Sequence, residues 1–197
     1  MRKSLIQWLV ITVSVFAINL PVTHAEVENT KLYISGKYRF HFKYPSTYLL
    51  REGPTGAFVQ LLMPKQRSLT FQVHNVRELI DFCSHGDPQP RQPCDTLLGV
   101  MMFHAKTLCA ADGSDGTAYC LDEDIKRETA QIGGKTGYRF HLVQTEEDFQ
   151  SHTKVKRAMP MILYYLDISS GSNQKIFQIY GTDDEINEGI INTLKFN

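Results

Sequence analysis

Tyr38-Arg39-Phe40-His41-Phe42-Lys43-Tyr44 alternates aromatic and polar side chains without a break. That period of two predicts a half-buried strand, with four aromatics on one face and Arg39, His41 and Lys43 on the other. Pro45 ends it by withdrawing a backbone donor. Similar patterning predicts strands over 57–63 and 68–76, then a short helical turn over 77–82. Ile125–Ile132 and Thr136–Gln144 flank Gly133-Gly134, a pair that suits a tight hairpin because both residues can take positive φ. A second hairpin, Met161–Ser169 with Lys175–Gly181, folds around Ser170-Gly171-Ser172-Asn173. Short links between successive strands imply a mostly antiparallel sheet.

Two segments change to helical spacing. Cys94-Asp95-Thr96 opens a run with Leu97, Leu98, Met101, Met102, Ala105 and Leu108 on one stripe. Near the end, Thr182-Asp183-Asp184-Glu185 reads as a capping box, Thr182 taking the exposed amides and Glu185 reciprocating. Ile186, Ile190 and Leu194 would then face the core. The class is therefore α+β.

The start of the chain is of a different kind. Arg2 and Lys3 precede an apolar run from Leu5 to Leu20, and Val22-Thr23-His24-Ala25 supplies the small residues that signal peptidase accepts. Residues 1–25 read as a signal peptide, with a retained membrane anchor as the alternative. The run is interrupted by polar residues and falls short of the ~20 apolar residues a span requires. Residues 26–197 then form one domain of a periplasmic or secreted protein, touching a membrane only through its signal. The whole chain balances 21 basic against 21 acidic side chains. Such balance leaves no concentrated cationic surface for phosphate backbones, so no nucleic-acid partner is expected. The one basic cluster, Lys154-Val155-Lys156-Arg157, reads as a solvated loop.

All four cysteines, Cys83, Cys94, Cys109 and Cys120, fall within one stretch at 83–120. Four cysteines allow three pairings. A helix over 95–108 would hold Cys94 and Cys109 about 22 Å apart, whereas a disulfide needs about 4.4–6.8 Å between α-carbons. Two local rings, Cys83–Cys94 and Cys109–Cys120, close the smallest loops and clamp the two helix ends. His85 and His104 lie near enough in sequence to suggest zinc instead. The chain has no C-x2-C pair, however, and an oxidising compartment favours disulfides.

Other chemistry is thinner. The acids of 112–124 do not follow the order of a calcium loop and suit turns. Gly133-Gly134-Lys135-Thr136 lacks the first glycine of a phosphate-binding loop, and no serine elbow or H-E-x-x-H helix occurs. Tyr38–Phe42 recurs as Tyr138–Leu142, and His41 with His141 would make a metal or pH-sensing pair only if those strands were neighbours. No metal, cofactor or catalytic residue is assigned. Tyr164, Tyr165, Phe177 and Tyr180, on adjacent strands, are the candidate lining of a binding pocket.

Three stretches resemble a known superfamily. Gly36–Pro45 resembles the opening aromatic strand and Tyr-Pro of PsbP-like proteins, Ile132–Tyr138 their Gly-rich hairpin, and Ile190–Phe196 their closing helix and aromatic tail. The resemblance covers roughly residues 34–82 and 125–197. It implies an α/β/α sandwich, a central antiparallel sheet with helices on both faces, and a binding or assembly role rather than catalysis. Tyr48 stands where members often carry Trp, and the cysteine segment 83–120 interrupts the pattern as an insertion. The expectation is an exported, non-enzymatic protein of the bacterial envelope that docks a protein or envelope partner through a sheet edge or the stapled insertion. A small-molecule or lipid carrier is the alternative, and a metal-dependent hydrolase a third.

Overall fold

In the computed structural model, which describes residues 29–64, 67–85, 94–112 and 116–197, strands dominate. The first part of the chain gives β1 (Thr30–Ser35), β2 (Phe40–Pro45), β3 (Leu49–Glu52), β4 (Phe58–Leu62) and β5 (Ser68–Asn75). Two helices follow, α1 (Val76–His85) and α2 (Leu97–Thr107). Then come β6 (Ala111–Asp112), β7 (Gly116–Tyr119), a short 3-10 turn at Asp122–Asp124, β8 (Ile125–Ile132) and β9 (Lys135–Asp148). The last part holds β10 (Lys154–Ala158), β11 (Met161–Asp167), β12 (Lys175–Thr182), α3 (Glu185–Asn192) and β13 (Lys195–Phe196). The proposed signal segment and parts of both cysteine rings, 86–93 and 113–115, lie outside the described residues.

The strands form a ten-stranded sheet and a three-stranded one, and every pairing among the described strands is antiparallel. The large sheet runs β3-β4-β5-β12-β11-β9-β7-β6, with β8 and β10 also paired to β9. β9 is its spine. Along one edge it pairs with β8 and then β7, along the other with β11 and then β10. The β8–β9 turn is made by Gly133 and Gly134 at φ +58° and +81°, as their sequence predicts. A β-carbon at Gly133 would also lie 2.8 Å from the Leu194 carbonyl, so the turn packs against the strand leading into β13.

Alternation along the strands divides the apolar side chains between two cores. On one face, Leu69 and Phe71 of β5, Phe177 and Ile179 of β12 and Tyr164 of β11 meet Phe40 and Phe42 of β2. Ile190, Ile191 and Leu194, on and after α3, close this side. Rings interlock there: Phe42 stacks on Phe71 with centroids 4.3 Å apart, and Phe40 meets Phe177 edge-on at 4.7 Å. On the other face, Phe140, Leu163, Tyr165 and Ile176 are covered by Val100, Met101 and Ala105 of α2 and by Val76 and Leu79 of α1.

Both predicted cysteine rings are present. Cys83 and Cys94 have α-carbons 5.8 Å apart, Cys109 and Cys120 5.5 Å apart, and no described cysteine is free. Each pair holds one end of α2. Thr96 caps that helix, its Oγ1 accepting the Gly99 amide at 3.0 Å. The segment 83–120 also supplies Val100, Met101, Met102, Ala105, Cys109 and Cys120 to the second core, so it is a structural layer of the domain as well as an addition to the family-like pattern.

Several local expectations change. The first aromatic strand begins at Phe40, because Arg39 sits in a turn with φ +54°. Thr182 remains in β12, so the cap of α3 passes to Asp184, whose Oδ1 accepts the Asn187 amide at 2.9 Å. The helix is thereby rotated, leaving Ile186 exposed and burying Asn187 and Ile191 instead. Lys154–Arg157 is strand β10 rather than a loop. Its cations reach acids on β9 and the 3-10 turn, Lys154 to Glu147 at 3.0 Å and Lys156 to Asp124 at 2.7 Å. His41 and His141 lie in different sheets and are not neighbours.

Candidate functional site

The four candidate pocket aromatics do not share a cavity wall. Tyr164 and Phe177 face the first core, while Tyr165 and Tyr180 face the second. Neighbours in sequence on one strand necessarily point to opposite faces. Tyr164 packs beneath Arg139, whose guanidinium lies 5.5 Å from the ring centroid and 3.0 Å from Glu188. Burial first, and then the Glu188 charge, push its hydroxyl up to about 12.

Tyr165 belongs to a polar cluster enclosed between the sheet and α2. Thr70, Gln72 and His74 occupy the face of β5 opposite Leu69 and Phe71, next to Gln178 of β12. His74 Nε2 lies 2.8 Å from Gln178 Oε1, Gln178 Nε2 3.2 Å from the Tyr165 hydroxyl, and that hydroxyl 2.7 Å from His104 Nδ1. One assignment of protons satisfies every contact: His74 donates to Gln178, Gln178 to Tyr165, and Tyr165 to His104. It requires a neutral His104 that presents Nδ1 as an acceptor. Burial, and then the nearby His74 ring at 5.0 Å, hold His104 down to about 4. His74 is lowered by burial as well, and Tyr165 is raised by it. Thr70 Oγ1 is buried beside this row without a hydrogen-bond partner among the described residues. These bonds tie His104 of α2 to Tyr165 and Gln178 of the sheet and so help to set the register of the helix. His85 and His104 are the histidines that the sequence offers for zinc beside the cysteines, and all four cysteines are in disulfides. No group of three His, Cys, Asp or Glu residues among those described is placed to hold a metal ion.

Exposed apolar side chains lie elsewhere. Leu32 and Ile34 of β1 are 53% and 61% exposed. Register places Leu32 opposite Lys43, Ile34 opposite His41, and His41 opposite Lys195, so all five project from the outer face of the three-stranded sheet. No acid occurs among these paired positions. The far edge of β1 has no strand beside it among the described residues. Another exposed apolar side chain lies where α1 meets α2: Phe82 of α1, 54% exposed, meets Phe103 of α2 edge-on at 5.5 Å.

Sequence reasoning did not single out His74, Gln178, Leu32 or Ile34. Thr70, Gln72 and His74 alternate with apolar residues as a solvent-facing row would, and only the covering helix turns that row inward. Leu32 and Ile34 resemble ordinary strand residues until the pairing shows which face they occupy.

No family model matches this chain, and no curated protein does. Among solved structures, it is similar to the solution structure of cyanobacterial PsbP (CyanoP) from Synechocystis. That likeness has 10% identity and a TM-score of 0.49, and spans 88% of this chain and 96% of that one. A crystal structure from Bacteroides thetaiotaomicron matches at 14% identity and a TM-score of 0.33, over 85% of this chain and 48% of the other. Likeness at these values carries no information about activity. No described helix is long and apolar enough to cross a membrane.

Proposed function

We propose that this chain is an exported, non-enzymatic binding or assembly protein of the bacterial envelope, periplasmic or secreted, in the PsbP-like α/β/α arrangement. Helices α1 and α2 on one face of the large sheet, and α3 with the small sheet on the other, support that arrangement. The two cysteine pairs and the signal-like start support export. The docking surface is β1. An unpaired strand edge offers a row of backbone donors and acceptors to an incoming strand, and strand addition is a common mode of peptide recognition. The occupant is an extended segment of an acidic protein partner. Its backbone continues the sheet, its apolar side chains cover Leu32 and Ile34, and its carboxylates face His41, Lys43 and Lys195. The observation that carries the reading is the exposure of Leu32 and Ile34 beside Lys43 and Lys195.

Site-specific photocrosslinking tests it. A crosslinker at position 34 of the full chain, expressed in its native envelope, should capture one discrete partner through an acid-rich segment. The same probe at Lys126 on β8 should not, and Leu32→Asp should abolish the capture from position 34. Equal capture from both positions, or no loss with Leu32→Asp, would overturn the docking site. Turnover of a hydrolase or oxidoreductase substrate by the purified protein would overturn the non-enzymatic role.

A further inference from the structure

Three turns meet at one end of the molecule: β1–β2, β8–β9 and β11–β12. Together with the end of β13 they enclose a pocket of about 450 Å³. Each turn contributes cations to it: Lys37 and Arg39 from the first, Lys135 from the second and Lys175 from the third. No acidic side chain lines it. Asp167, close by in sequence, is turned to the Ser169 amide, which its Oδ1 accepts at 2.9 Å. None of the four cations forms a salt bridge among the described residues, whereas Arg139, Lys154, Lys156 and Arg157 all do.

The cluster is built rather than incidental. Arg39 is one of two described non-glycine residues in the left-handed region, a conformation that persists only where its surroundings impose it. Here its amide donates to Ser35 O at 2.9 Å, and its carbonyl accepts the Asn197 amide at 2.8 Å. The Lys37 and Lys175 ammonium groups each lie 5.2 Å from the Tyr38 ring centroid, and Lys135 lies 6.0 Å from that of Phe196. Aromatic faces orient these ammonium groups without cancelling their charge. Four cationic side chains therefore line one concavity to which no acidic side chain contributes, although the Lys37 ammonium also donates to the Thr55 carbonyl at 3.1 Å.

We propose that this pocket binds a small molecule through a phosphate group. A phosphate relieves the mutual repulsion better than a carboxylate, because it brings up to two charges and several acceptor oxygens to one point, and the Arg39 fork matches two of those oxygens. The volume suits a phosphate with a small organic body, for which Ile168 and Phe196 supply apolar wall. The site is distinct from the β1 docking surface and uses none of its five side chains, so either can fail alone.

The test is a titration of the isotopically labelled full chain with inorganic phosphate and with glycerol 3-phosphate, followed by amide NMR at constant ionic strength. In parallel, sedimentation with phosphatidylglycerol and phosphatidylcholine vesicles asks whether a lipid headgroup is the source. Saturable shifts at 37–39, 135 and 169–175 are expected. Lys135→Gln and Lys175→Gln should each weaken binding about fivefold and Arg39→Gly about tenfold; glycine retains the left-handed turn there. Lys126→Gln should leave binding unchanged. Saturation by the soluble phosphates would assign a free ligand. Selective sedimentation with phosphatidylglycerol, lost in the same variants, would assign a headgroup. Shifts reproduced equally by chloride, or unchanged affinity in Lys135→Gln and Lys175→Gln, would overturn the proposal.

Discussion

The two faces of the large sheet solve the same covering problem by different means. On one, Phe40, Phe42, Phe71 and Phe177 interlock, and the covering layer of β2, β13 and α3 is held by apolar contact and strand pairing. On the other, the sheet presents Thr70, His74, Gln178 and Tyr165 among its apolar residues, and α2 is fastened at both ends by cysteine pairs. Polar groups bring less hydrophobic stabilisation than the rings opposite and must be bonded to be tolerated at all. Covalent staples compensate, because they hold the helix over a face that would attract it weakly. Where apolar area suffices, packing does the covering; where the face is polar, cross-links and hydrogen-bond direction do.

Four experiments press on that contrast. Phe42→Ala should have the largest effect, about 3–5 kcal/mol in denaturant unfolding; a loss below about 1 kcal/mol would mean the aromatic stack does not anchor its side. Acid comes next. His104 is held below its ordinary value of 6.5, down to about 4, so the unfolded state binds the extra proton in between. The associated stability is complete above about pH 6.5 and lost as pH falls toward about 4, roughly 3 kcal/mol in all. A His104→Gln variant should lose that part of the profile, and an unchanged profile would remove His104 as its source.

Cys109→Ala with Cys120→Ala should cost about 2–3 kcal/mol and speed hydrogen exchange in α2 while leaving β2 and β12 protected. Uniform acceleration across both faces would erase the distinction between them. The smallest effect is expected from Tyr165→Phe, about 1–2 kcal/mol, since it leaves His104 Nδ1 and Gln178 without the hydroxyl that joins them. Because it deletes that bond and little volume, no loss at all would show that the cluster does not fix the register of α2.

Sequence reading reached the aromatic face more easily than the polar one, for physical reasons. Phe40 and Phe42, the Gly133-Gly134 turn and the β11–β12 hairpin announce themselves through alternation and turn chemistry. So do both cysteine pairs, because helix length removes one rival pairing and the smallest loops favour the local rings over the other. β10 escaped because Lys154–Ala158 is exposed throughout and is a strand only by virtue of its pairing with β9. β1 escaped for a similar reason, with four of its six residues exposed. The cap of α3 was misplaced by two residues because β12 extends far enough to claim Thr182. Tyr164, Tyr165, Phe177 and Tyr180 were grouped by nearness along two strands, a measure that ignores which face each occupies. Both proposed sites are assembled from turns and edges distant in sequence, and no local pattern reports such convergence.

The pairing of β2 with β13 and of β5 with β12 has a consequence for how the chain is made. The first five strands can form hairpins among themselves, but the layer that completes their core is encoded in the last two dozen residues. Neither the aromatic face nor the central strand order can close while that tail is still on the ribosome. Contacts of such long sequence separation form slowly. For a chain exported as proposed, that delay is an advantage: the pairing order keeps the core open until residues 175–196 are available.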